Sequence, residues 1–238
     1  MIIRKRIILI ILLLISAITT FAQDNNKILN RPYADMKLFH FGFSVGIHTQ
    51  DLNMVHNGYV AEDGSTWFMD VPSTSPGFCV NVLADMRIST HFNLRVSPGM
   101  YFGNKVIKMY DTTNGVAESQ NYKTNYIVLP VDLKISALRY KNIRPYVTTG
   151  VMGTFDVSKR TPDILMFNSA DMMFTIGFGC DIYMHYFKLI PELKFCLGLT
   201  DILDRSRPDL EDDPTAMYFT NSLSKVTSNM VVLTFYFE

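Results

Sequence analysis

From residue 38 onward the chain repeats one pattern: runs of about ten residues in which apolar side chains alternate with polar or small ones. It is clearest between Asp171 and Gly198. Met172, Phe174, Ile176, Phe178, Cys180 and Ile182 form one row, and Asp171, Met173, Thr175, Gly177, Gly179, Asp181 and Tyr183 form the other. After His185-Tyr186 the alternation resumes, with Phe187, Leu189, Pro191, Leu193, Phe195 and Leu197 set against Lys188, Ile190, Glu192, Lys194, Cys196 and Gly198. A period of two is that of a β-strand with one apolar face. Runs this long suit a tilted membrane crossing better than a soluble strand. Charges on the second row are costly in lipid, so that row points inward.

The same reading predicts six further strands, at 38–48, 76–88, 92–103, 124–137, 144–155 and 228–237. The connections then alternate: long at 49–75, 104–123, 156–170 and 199–227, short in between. Outer-membrane barrels have short periplasmic turns and long external loops. The expectation is therefore an all-β fold, an eight-stranded antiparallel up-and-down transmembrane β-barrel with four long external loops and three short periplasmic turns, over residues 38–238. A soluble lipocalin-like barrel would put its charge outside and its apolar residues inside, the reverse of this pattern. Pro98, Pro130 and Pro191 each remove a ladder hydrogen bond. At Pro130 and Pro191 a bulge or a strand end is expected.

The first residues add a compartment. Arg4, Lys5 and Arg6 precede the apolar run 7–15, and small residues Thr20 and Ala22 precede Gln23, the layout of a secretory signal cut near Ala22-Gln23. A retained anchor is the alternative. Residues 23–37 read as a short periplasmic lead. The 22 basic residues balance the 22 acidic ones, and the signal removes three basic residues and no acidic ones, leaving a net charge of −3. That is no nucleic-acid footprint. Cys79, Cys180 and Cys196 are odd in number and lack metal-site or Cys-x-x-Cys spacing, so neither a disulfide framework nor a metal is expected. No phosphate loop appears either, and no cofactor is implied.

The inward row carries Asp85, Asp132, Asp181 and Glu192 against Arg87, Arg95, Lys134 and Lys194. Equal numbers of both signs in a narrow interior predict internal pairing, since unpaired buried charge is expensive. Eight strands leave room for side chains and little else. The network is expected to plug the barrel; a narrow solute pore is the sharper alternative. For catalysis the nearest acid–base pair is His48 with Asp51, and no serine nucleophile stands out beside it. The reading is therefore not an enzyme. Trp67, Phe68, Tyr110, Phe167, Tyr218 and Phe219 lie among polar residues of the long connections, as anchors for protein contacts or as packing over the barrel mouth.

Several motifs fall in a recognisable order: Asn125-Tyr126-Ile127-Val128-Leu129-Pro130-Val131-Asp132-Leu133-Lys134, then Arg144-Pro145-Tyr146, then Pro191-Glu192-Leu193-Lys194-Phe195. With His40-Phe41-Gly42-Phe43-Ser44-Val45-Gly46, Pro76-Gly77-Phe78 and Ser97-Pro98-Gly99-Met100-Tyr101-Phe102-Gly103, the chain resembles the PorT family of Bacteroidetes outer-membrane β-barrels. The resemblance implies an accessory or assembly role in the type IX protein secretion system, with partners among that system's outer-membrane or periplasmic proteins. It transfers no catalytic residue. An eight-stranded barrel is too narrow to carry folded cargo, so the implied role is a helper and not the conduit. A general small outer-membrane barrel with a binding or envelope-stabilising job is the alternative.

Overall fold

The computed structural model describes residues 29–59, 67–74, 76–111, 117–158, 167–204 and 222–238. The proposed signal, its cleavage site, the start of the lead, and Tyr218 and Phe219 lie outside the described residues. Ten strands follow a short 3₁₀ turn at Ala34–Met36. They are β1 (Phe39–His56), β2 (Trp67–Thr74), β3 (Pro76–Arg87), β4 (Phe92–Val96), β5 (Gly99–Asp111), β6 (Ala117–Ser136), β7 (Ile143–Asp156), β8 (Ala170–Tyr183), β9 (Lys188–Gly198) and β10 (Leu223–Phe237). All join one antiparallel sheet, in which β1 is hydrogen-bonded to β10 along one edge and to β3 along the other.

Ten strands, not eight, is a correction with two physical causes. The strand expected at 92–103 is interrupted at Ser97-Pro98 into β4 and β5, because proline has no N–H to donate. The break leaves the register unchanged: Val96 faces Val131 and Gly99 faces Val128 on β6, while Ala84 and Asn81 face the same two residues from β3. Pro130 lies opposite Ser97 and accepts from its N–H at 3.3 Å, while the Pro98 oxygen accepts from Val82 on β3 at 2.9 Å, so each proline keeps a bond as acceptor that it cannot match as donor. The second cause is β2. It occupies part of the connection expected at 49–75 and pairs with β5 from Trp67↔Asp111 to Thr74↔Lys105, with a register irregularity between Asp70 and Ser73.

The other long connections shorten similarly, since β1 runs on to His56, β6 begins at Ala117 and β10 at Leu223. Backbone pairing continues there although the apolar alternation has stopped. Pro191 is neither a bulge nor a strand end. The β8–β9 ladder skips it between Gly179↔Glu192 and Ile182↔Leu189 without a change of register, and on its other side it lies opposite Phe235.

The two faces of the sheet differ in chemistry as the alternation requires. Phe41, Val82, Ile47 and Phe78 on the outside are 56–69% exposed. Leu129, Val151, Phe155, Phe174 and Phe178 continue that apolar belt over β6, β7 and β8. The enclosed face holds Arg95, Asp132, Lys134, Asp181, Glu192 and Lys194, none more than 3% exposed. A protein in water would do the opposite with both sets; an exposed apolar belt of this extent requires hydrocarbon around it.

Candidate functional site

The enclosed charges are brought together by strand register first and by reach across the interior second. Asp85 on β3 lies directly opposite Arg95 on β4. The guanidinium donates from Nη2 at 3.0 Å and from Nε at 3.2 Å to Asp85 Oδ2, while Asn93 Nδ2 donates to Oδ1 at 2.6 Å. Arg95 also has Asp132 as its cross-strand neighbour on β6, yet its Nη1 crosses the interior to Glu192 Oε2 on β9, 2.8 Å away. Glu192 accepts from Tyr146 Oη at 2.7 Å and from Lys194 Nζ at 3.1 Å. Lys194 then reaches Asp132 Oδ2 at 2.6 Å, and Thr175 Oγ1 donates to Asp132 Oδ1 at 2.6 Å. Lys134 Nζ donates to both oxygens of Asp181 at 2.8 Å.

Aromatic rings complete this layer. Arg95 lies 5.1 Å from the ring centres of both Tyr146 and Tyr236, and the Lys134 ammonium lies 4.2 Å from that of Tyr146. Cations over ring faces at such distances are attracted by the ring quadrupole. Tyr146 reaches Glu192 across β8 only because Gly179 stands between them: a Cβ there would fall 2.3 Å from the tyrosine Oη.

Seven of the eight inward charges expected from sequence thus lie in this layer. Arg87 does not. It sits at the short-turn end and donates from Nη1 to the main-chain oxygen of Asp35 at 3.1 Å. Tyr146, Tyr236, Thr175 and Asn93 escaped the sequence reading as partners, although for Tyr146, Thr175 and Asn93 an even spacing from charged neighbours on the same strand was available as a signal.

At the short-turn end the lead crosses the opening. Asp35 accepts from Tyr183 Oη at 2.5 Å and faces Arg144 at 3.4 Å and Arg139 at 3.7 Å. Asn30 holds Asn142 Oδ1 and the Tyr183 carbonyl, and Arg31 Nη1 donates to the Glu238 main-chain oxygen at 3.0 Å. Glu238 follows β10 and is enclosed between His40 Nδ1 at 2.7 Å and Lys188 Nζ at 2.5 Å. Burial alone would raise its carboxyl, but the His40 hydrogen bond and the Lys188 charge outweigh that and hold it at about 2, against an ordinary 4.5. A carboxylate depressed in the folded state stabilises fully above its unfolded value, and this contribution is lost as pH falls through the folded one. Stability should therefore decline between about pH 4.5 and 2, and Glu238→Gln should flatten that part of the acid unfolding curve followed by tryptophan-independent circular dichroism.

At the long-connection end the interior turns apolar. Leu52, Ile107, Phe167, Ile202, Leu203, Leu223 and Val226 form one cluster, and Phe167 stacks edge-on against Tyr122 at 5.5 Å. Phe167 is 6% exposed and bridges to Leu203, so it packs over the mouth and is no exposed contact anchor. Trp67, Phe68 and Tyr110 lie in β2 and β5, not in loops.

His48 and Asp51 are three residues apart on β1 and therefore face opposite sides: His48 is 2% exposed inside and stacks on Tyr101 at 5.1 Å, while Asp51 is exposed outside. They form no acid–base pair. Among the described residues no group of three His, Cys, Asp or Glu is placed to hold a metal.

No curated protein matches the chain by sequence. Two solved structures are similar at low identity. One is the N-terminal β-barrel domain of Pseudomonas aeruginosa OprF, with 12% identity, 81% of this chain and 96% of that one covered, and a TM-score of 0.36. The other is Ail, the attachment invasion locus protein of Yersinia pestis, solved with the heparin analogue sucrose octasulfate, with 8% identity, 83% and 96% covered, and a TM-score of 0.36. The family described as outer membrane protein beta-barrel domain matches residues 21–204, well over half the chain. With its apolar belt outside and its paired charges inside, the chain belongs to this outer membrane protein beta-barrel domain family and is a protein of the outer membrane.

Proposed function

We propose that the ten strands act as eight walls of a closed barrel, β2 continuing into β3 and β4 into β5, and that this barrel serves a binding or envelope-stabilising role. The two-sided pairing of β1 and the unchanged register across Pro98 support the closure. The observation that carries the role is the layer running Asp85–Arg95–Glu192–Lys194–Asp132, which ties β3 and β4 to β9 and β6 across the interior. A layer so fully paired stitches walls together, and none of its own charges is left free to handle a solute. Surfaces for a partner are then left to the two ends.

An accessory role in type IX secretion is the second reading, favoured by the order of the PorT-like motifs. Those motifs contain Asp132, Lys134, Tyr146, Glu192 and Lys194, the residues that fill the interior. They therefore speak first for how the barrel is packed and only indirectly for what it touches. Clean deletion of the gene separates the two. The first reading expects cargo bearing C-terminal secretion signals to be exported normally while the envelope becomes more permeable to detergents. Cargo trapped in the periplasm would establish the second.

A further inference from the structure

The charge layer at mid-barrel is fully satisfied, and the polar groups above it are not. Under the apolar cluster at the long-connection end, Lys105 on β5 is 2% exposed and makes one hydrogen bond, to Tyr126 Oη at 3.3 Å. No carboxylate among the described residues lies within ion-pair distance of it. Two further polar atoms nearby lack a hydrogen-bond partner among the described residues: Asp171 Oδ2 on β8 and Ser228 Oγ on β10, the serine itself 2% exposed. All three residues line one small cavity of about 10 Å³, with Asn168 and Ile202 also in its wall. A buried ammonium with one partner, an orphan carboxylate oxygen and an orphan hydroxyl each cost free energy unless something between them donates and accepts at once. A void of this size holds one water, and a water needs two to four polar partners.

We propose that this cavity is a binding site for a single internal water, which accepts from the Lys105 ammonium and donates to Asp171 Oδ2, with Ser228 Oγ as its third partner. The choice of water follows from size and from sign. The cavity is too small for any larger ligand. The ammonium requires an acceptor where the carboxylate requires a donor, so neither a bare anion nor a bare cation answers both.

The site also does mechanical work. Asn168 donates its N–H to the Ile202 oxygen at 2.7 Å, and Ile202 donates to the Val226 oxygen at 3.0 Å, so the roots of the β7–β8 and β9–β10 connections are joined directly above the cavity. The water fastens those roots to β5 through Lys105. It thus fixes the base from which two long connections rise, which deepens the binding reading without depending on which partner they meet.

The test is water–protein cross-relaxation NMR of the full chain in detergent micelles with lysine side-chain nitrogens labelled, paired with a crystal structure fine enough to show waters. The expected result is one slowly exchanging water in contact with the Lys105 ammonium, and density within hydrogen-bonding distance of Lys105 Nζ and Asp171 Oδ2. Ser228→Val, which fills the void, should abolish that signal. Ser228→Ala, which spares the fold, should keep the water but speed its exchange at least tenfold. A Lys105 ammonium in direct contact with Asp171 and no water between them would overturn the proposal. So would density for an ion, or a water whose exchange is unchanged in Ser228→Ala. Failure of the deletion test leaves these outcomes untouched, because they concern the folded barrel alone.

Discussion

Arg95→Met should destabilise the folded barrel by about 3–5 kcal/mol, the cost of removing one member of a buried ion pair and leaving the other uncompensated. Here the loss is at the upper end of that range or beyond it, because two carboxylates depend on one guanidinium. Among the described residues Asp85 would keep the Asn93 hydrogen bond, and Glu192 would keep Tyr146, Lys194 and a 3.4 Å contact with Tyr236. Urea unfolding in lipid vesicles, followed by the shift in gel mobility between folded and unfolded barrel, reads the change. The informative control is the triple variant Arg95→Met, Asp85→Leu, Glu192→Leu. Replacing both carboxylates along with the guanidinium removes most of the desolvation penalty with the attraction; Tyr146 loses its bonds to Arg95 and Glu192, and the variant should still recover more than half of the loss. A loss below about 1 kcal/mol in the single variant would mean that water already reaches the layer.

The outer face should show the second large effect, with position deciding its size. Val151 lies midway along β7, flanked by Val131 on β6 and Phe174 on β8, and all three face outward. Val151→Arg places a charge near the bilayer midplane and should cost about 2–4 kcal/mol. Ile88→Arg at the short-turn rim, where the native side chain is 60% exposed, should cost about 0–1 kcal/mol because the guanidinium reaches water. Measured in the same vesicles, the two substitutions report depth. Equal costs at both positions would contradict a membrane belt.

What could be read from the sequence, and what could not, divides along physical lines. Alternation over β3, β8 and β9 was legible because lipid on one side and packed polar groups on the other impose opposite demands on successive residues, whereas in β7 Thr149 in the outer row and Met152 in the inner one weakened the contrast. The segments beyond the belt were not legible by the same test. At Trp67–Thr74 and Ala117–Lys123 the strand continues where neither face has to be continuously apolar, so only backbone pairing identifies it. Pro98 signalled an interruption, but not that its two flanks would keep register, since this depends on Pro130 facing the same gap.

In the charge layer, the participants could be named from parity along each strand. Their choices could not. Arg95 bonds Glu192 across the interior in preference to its lateral neighbour Asp132, and that follows from how far opposite walls stand apart. His48 and Asp51 were separable by parity once β1 was known to pass through both. Ending the strand at His48 hid this.

The crossing of the lead over the short-turn opening has a temporal consequence. Its anchors are Arg87 after the second hairpin arm, Arg139 and Asn142 in the turn before β7, Tyr183 at the end of β8, and Glu238 after the last strand. A segment that precedes β1 is therefore held by a residue that follows β10. Its full set of anchors exists only once β10 is in place, much as a drawstring is tied only after the bag is sewn.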